Sequence, residues 1–146
     1  MAYKVLDIAN KLLAKANDGK QELMSNLKLQ KMLYYEQGFH LAYFNKPLFE
    51  EEIEAWMYGP VVPSVYEHYK DNGQNGILPD EKNIISFKNK EENALFDEVF
   101  DAYGAYSAIG LMNMTHQESP WSKTKVGIGN VITKDKMTDF FKSRLE

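Results

Sequence analysis

The chain has no cysteine among its 146 residues. That excludes disulfides, thiolate metal sites and cysteine nucleophiles together. Arginine is nearly missing too, with Arg144 the only one. Arginine is the usual bidentate reader of guanine and a favoured phosphate clamp. With net charge −4 and no basic tail, the chain is a poor candidate for direct DNA binding. Residues 1–73 hold 8 Lys/Arg and 10 Asp/Glu, and residues 74–146 hold 9 and 11, so neither half is a charged arm. No apolar run reaches the ~18 residues a membrane span needs. The opening Met1-Ala2-Tyr3-Lys4 leads into no apolar stretch with a small-residue cleavage site, so no signal peptide is read and a cytoplasmic protein is expected. Repeats, low-complexity segments and linkers are also missing. What is there suits one domain spanning 1–146, with 44% hydrophobic and 26% charged residues.

Hydrophobic spacing predicts a mainly α fold of the α+β kind. Val5, Ile8, Leu12 and Leu13 recur at helical spacing, and Asn17-Asp18-Gly19 supplies a stop. Ser25 is placed to cap a second helix, with Met24 and Leu29 as a hydrophobic staple. From Leu27 to Phe44 apolar residues surround most of the circumference, which predicts a central, buried helix. Ile53, Ala55 and Met57 alternate with Glu54, Trp56 and Tyr58, predicting a short strand that Gly59-Pro60 breaks. Pro63 opens a third helix with Val65, Tyr66 and Tyr69 inward. Ile84-Ile85-Ser86-Phe87 reads as a second strand pairing with the first, giving a two-stranded element. Leu95, Phe96, Val99, Phe100 and Tyr103 form a helical stripe, and Ser107, Ser119 and Thr133 are each placed as caps. Met137, Phe140, Phe141 and Leu145 give the last helix its inner face.

Chemistry-bearing patterns are sparse. His40, His68 and His116 are far apart, without HExxH or His-x-His spacing, so no metal site is expected. A GxSxG elbow is missing, and Ser107 reads better as a cap than as a nucleophile. Gly127-Ile128-Gly129 lacks both a third small residue and a preceding strand, so it reads as a loop rather than a dinucleotide fingerprint. Neither a catalytic set nor a cofactor site emerges. The acidic cluster at Glu50, Glu51, Glu52 and Glu54 is either a solvated strand face or a pair of carboxylates for acid–base work or a hard cation. Trp56 and Tyr58 alternate away from the expected core face, as interface aromatics or as core. Between apolar helices, Thr115-His116-Gln117-Glu118-Ser119-Pro120-Trp121 is either a small site using His116 and Glu118 or a connection whose Trp121 plugs the core.

Three blocks together carry a kinship. They are Leu27-Lys28-Leu29-Gln30-Lys31-Met32-Leu33-Tyr34-Tyr35, then Pro47-Leu48-Phe49, then Glu54-Ala55-Trp56-Met57-Tyr58-Gly59-Pro60-Val61-Val62-Pro63-Ser64-Val65-Tyr66. They resemble the Panacea domain of the SocA-like family, which includes GepA-type phage- and plasmid-associated proteins. Thr115-His116 with Pro120-Trp121 is similar to the family's second signature. Glu36 and Phe39 depart from it, standing where a small residue and often a Trp are expected. The resemblance implies an antitoxin that neutralises a toxin encoded beside it by direct binding, in one branch as a proteolytic adaptor to a Clp-type protease. Some relatives carry an added DNA-binding segment, and none is found here. The residues singled out for partner binding or as family motif are Trp56, Tyr58, Gly59, Pro60 and Tyr66, with His116, Glu118 and Trp121 of the second block. The rival readings are a small hydrolase using Glu118 and His116, and a phage or plasmid accessory protein.

Overall fold

The computed structural model describes residues 2–20 and 22–145. Seven α-helices among them surround a small antiparallel sheet. They are α1 (Val5–Lys15), α2 (Asn26–Phe44), α3 (Pro63–Tyr69), α4 (Lys90–Tyr103), α5 (Ala108–His116), α6 (Ser119–Ser122) and α7 (Lys134–Lys142). The strands are β1 (Ile53–Trp56), β2 (Gly59–Val61) and β3 (Val131–Ile132), in the order β2-β1-β3.

Helix α2 is the hub, as its all-round apolar pattern requires. The Ser25 hydroxyl accepts from the Lys28 amide at 3.3 Å at its start, and Asn45 in the left-handed conformation ends it. Met24 and Leu29, the residues placed as a staple, are both buried in the core. Several polar residues of α2 are buried because they satisfy irregular backbone that would otherwise be stranded away from water. Gln37 donates to the Phe49 carbonyl and accepts from the Leu48 amide, both at 2.7 Å. Gln30 accepts from the Val62 amide at 2.9 Å and donates to Asn26, which in turn donates to the Tyr66 carbonyl. Helix α2 thereby holds the chain from residue 48 to residue 66 by side chains alone.

Helix α7 closes the other side. Phe141 packs within 4.8 Å of the Phe39 ring and meets Tyr34 and Tyr35 edge-on. This approach is possible because residue 38 is glycine: an added Cβ would overlap the Phe141 ring. Thr133 caps α7 by accepting from the Lys136 amide, and Ile132 and Met137 are buried beside it.

Several expectations need correction. The strand does not stop at Gly59-Pro60; the chain turns at Met57-Tyr58 and returns as β2, pairing Trp56 with Gly59 and Ala55 with Pro60. Proline is tolerated there because β2 lies at the sheet edge. Met57 therefore sits in the turn and is exposed instead of facing the core. Residues 84–87 form no strand. Both sides of β1 are already taken, by β2 and by β3, whose Ile132 pairs with Ile53. That stretch is tied to α1 instead, with Lys11 donating to the Ile85 carbonyl at 2.8 Å and Phe87 packed against Tyr3 and Phe96. The small β element thus has three strands, not two. Helix α1 gives way to a π-helical turn, Ala16–Lys20, that runs through the expected stop. Tyr66 faces outward on α3, where only Val65 is buried, and Leu145 lies exposed beyond the end of α7.

Candidate functional site

A groove of about 800 Å³ opens where the β1–β2 hairpin, α2, α3 and the loop before β3 meet. Its floor is built by Leu27, Gln30 and Lys31 of α2 and by Val61 of β2. Its rim is apolar and wet: Met57 is 67% exposed, Tyr58 62% and Ile128 84%, with Val126 and Tyr66 less so. Large apolar side chains gathered on one exposed surface mark an interaction site, in contrast to the same residues scattered singly.

Each side of this groove is held from behind. Trp56 is half-buried, its ring set edge-on to Tyr66 at 5.3 Å, and its indole N–H donates to Glu54 at 2.9 Å. The same Glu54 oxygen accepts from the Gly129 amide at 2.8 Å. The Gly127 amide donates to the Ala55 carbonyl, and the Ala55 amide to the Asn130 carbonyl. The loop carrying Val126 and Ile128 is thereby latched to β1. The acidic pair imagined on one strand face is not a site: Glu54 holds Trp56 and the loop, while Glu52 is paired with Lys134 at 2.5 Å.

Beneath the hairpin lies a buried lysine. Lys31 reaches under Gly59 and donates to the Pro60 carbonyl at 3.3 Å. Gly59 has φ +111°, and a Cβ there would lie 2.5 Å from Lys31 Cε and 3.0 Å from the Thr115 hydroxyl. Only glycine suits that backbone and that clearance. Burial pushes the Lys31 ammonium down to about 7.

The second block supports the first. Trp121 stacks on His116 at 4.0 Å and donates its indole N–H to the Trp56 carbonyl at 2.9 Å. His116 Nε2 is buried with no hydrogen-bond partner among the described residues. Glu118 is buried at the N-cap of α6, the place expected for Ser119. Its carboxylate does not cap the helix. Its two oxygens accept from the hydroxyls of Tyr34 and Tyr35, each at 2.9 Å. Burial raises the Glu118 carboxyl although both tyrosine hydrogen bonds lower it. Burial, then the Glu118 charge, pushes both phenols upward.

His116 and Glu118 therefore serve different partners, and no hydrogen bond joins them. Trp56, Tyr58 and Tyr66 come together at the groove; Gly59 and Pro60 form the strand behind it; Trp121 braces it from below. Lys31 and the rim residues Met57, Val126 and Ile128 carried no sequence signal as site residues. The one available hint was a pair of apolar residues inside a glycine-bearing loop. Among the described residues, no group of three His, Asp or Glu could hold a metal, and no helix is long and apolar enough to cross a membrane.

The blocks that build this groove are also those that kinship rests on. The family described as "Antitoxin SocA-like, Panacea domain" matches residues 29–122. The chain is 31% identical over 152 aligned residues to Antitoxin SocA of Caulobacter vibrioides (strain NA1000 / CB15N), covering 92% of this chain and 80% of that protein. No solved structure matches it. The match takes in α2, the hairpin and the His116–Trp121 block together, and the chain belongs to the SocA-like, Panacea-domain antitoxin family.

Proposed function

We propose that this chain is the antitoxin of a toxin–antitoxin pair and neutralises its cognate toxin by direct protein–protein binding at the hairpin groove. The observation that carries the site is the exposed apolar rim of Met57, Tyr58 and Ile128 on a groove held rigid from behind. Large side chains on a preorganised frame lose little entropy on association, which favours them as anchors. Family membership supports the antitoxin role. Trp56 is half frame and half contact, since its indole N–H is already engaged by Glu54. A hydrolase reading of Glu118 and His116 finds less support, because Tyr34 and Tyr35 occupy the carboxylate and Trp121 covers the imidazole. On this reading the protein is not an enzyme, and acts in the cytoplasm.

The test is expression of the adjacent open reading frame with and without this chain, scoring growth and co-purification. Toxicity relieved by a stable complex, and restored by Tyr58→Ala with unchanged Tm, is the expected outcome. A harmless neighbour that never co-purifies would remove the antitoxin reading. Relief without a complex, only in cells with an intact Clp protease, would replace stoichiometric binding by adaptor action.

A further inference from the structure

We propose that residues 58–61, the returning half of the β1–β2 hairpin, form a flap gated by one proton on Lys31: closed while the Lys31 amine is neutral, and lifted away from α2 when it is charged. The device goes beyond the antitoxin reading and does not depend on what docks at the rim.

The count of donors and acceptors is the first argument. Lys31 is fully buried, and its amine reaches one acceptor, the Pro60 carbonyl at 3.3 Å. That bond serves a neutral amine. An ammonium has three N–H groups, so two would be left without partners and the charge without water. The Thr115 hydroxyl beside Gly59 is spent on the Met112 carbonyl at 2.7 Å. Other charged or titratable groups on the surrounding elements are engaged away from Lys31. Lys28 donates to the Gly104 carbonyl, Glu118 accepts from Tyr34 and Tyr35, and Glu54 holds Trp56 and Gly129. Lys70 pairs with Glu67 beside Asp71, and His116 stacks on Trp121. The phenols of Tyr58 and Tyr66 stand at the exposed rim. Burial is therefore unopposed, and it lowers the Lys31 ammonium to about 7.

The second argument is which wall can yield. Strand β1 is fixed: Trp121 holds the Trp56 carbonyl, and the Ala55 amide and carbonyl are bound to the loop before β3. Helix α2, which carries Lys31, is the hub of the core. Strand β2 is three residues long and lies at the sheet edge. Its middle residue, Pro60, has no N–H to give to a ladder. Gln30 pins the Val62 amide just beyond it at 2.9 Å. The segment is thus anchored at Trp56 and Val62 and free between them, and Gly59, at φ +111°, can absorb the change in backbone angle. Lys31 lies in the groove floor with Trp56 and Val61, so a small lift gives the ammonium groove water and carries Tyr58 out of its place on the rim.

In the lifted form the hydrated ammonium regains its ordinary 10.5. Between about 7 and 10.5 the closed form binds fewer protons than the open one, so the open share grows as pH falls and levels off below about 7.

The experiment is amide hydrogen exchange of the full chain, read residue by residue by NMR from about pH 9 down to about pH 7 and corrected for the intrinsic rate. The Gly59 and Val61 amides should exchange through an opening far more frequent than that of Leu33 and Tyr34 in the middle of α2, which report whole-chain unfolding. Their open share should rise by up to about tenfold per pH unit lowered. Val62 and Thr115 should stay protected. Lys31→Met and Lys31→Gln remove the charge, the second keeping a donor for Pro60, and the slope should vanish in whichever folds; the wild-type profile decides without either. Gly59 and Val61 exchanging no faster than Leu33 and Tyr34 would overturn the flap, since only global unfolding would then reach Lys31. Local exchange that ignores pH, a slope that survives both substitutions, or Thr115 opening together with Gly59 would overturn it as well.

Discussion

Trp121 donates its indole N–H to the carbonyl of Trp56 at 2.9 Å, joining residues 65 apart in sequence. This bond ties the two blocks that carry the family resemblance into one unit, with the second bracing the hairpin that the first supplies. Trp121→Phe keeps most of the stack on His116 and removes the donor. It should cost about 1 kcal/mol. Hydrogen exchange should quicken at residues 56–59 more than elsewhere, and toxin affinity should fall. Uniform exchange across the chain would mean that the bond does not hold the hairpin.

Gly38→Ala should be among the most damaging single-methyl changes in the chain. Its Cβ would overlap Phe141, which is fully buried and cannot withdraw. Overpacking of this kind costs about 1–3 kcal/mol, and a helical glycine-to-alanine change would otherwise gain up to ~1. A lowered Tm, partly recovered in the double variant with Phe141→Leu, is the expected result. A raised Tm would show that α7 yields easily.

Lys31 makes stability rise with pH. Its folded-state value is about 7 against an ordinary 10.5, so between those two the unfolded chain binds more protons than the native one. Stability therefore climbs from near neutrality toward 10.5 and is flat with respect to this group below about 7. Lys31→Met removes the buried ammonium and should stabilise the fold near neutral pH by about 1–3 kcal/mol, flattening the slope. Tm measured against pH for both proteins decides it. An unchanged slope would place the titration elsewhere.

Glu36 acts in the opposite sense. Burial, reinforced by the charge of Asp97, raises its carboxyl well above the ordinary 4.5, and Oε2 is buried without a partner. The native state thus holds its proton at pH values where the unfolded state has released it. Stability from this group is complete below 4.5 and is lost as pH rises toward the raised folded value. Glu36→Gln should raise Tm at neutral pH and have little effect in acid. A lower Tm at neutral pH would show that the carboxylate is accommodated as an anion.

The legible part of this fold was whatever local chemistry dictates alone. Ser25, Ser107 and Thr133 cap the helices they were expected to cap. The all-round apolar pattern of α2 marked it as the hub. Residues 84–87 misled because apolar alternation reports burial, and Phe87 achieves that against Tyr3 and Phe96 without strand pairing. The hairpin was missed because glycine and proline usually break strands, whereas here they form an edge strand over Lys31. Of the groove, Trp56 and Tyr58 were visible through alternation. Ile128 was not, because its neighbourhood depends on a latch to β1 that no local pattern encodes.

The hub helix has a consequence for how such a protein diversifies. Gln30 and Gln37 hold the hairpin and the chain before it from within, while Met57, Tyr58 and Ile128 project outward from turns and loops. Exposed side chains of that kind can be exchanged with little effect on stability. If the toxin docks at this rim, as proposed, partner choice and foldability are written on separate sets of residues. On that proposal a lineage would retune its target through a few rim substitutions, each intermediate remaining folded, so that acquiring a new adversary would be a short walk across sequence space instead of the invention of a new scaffold.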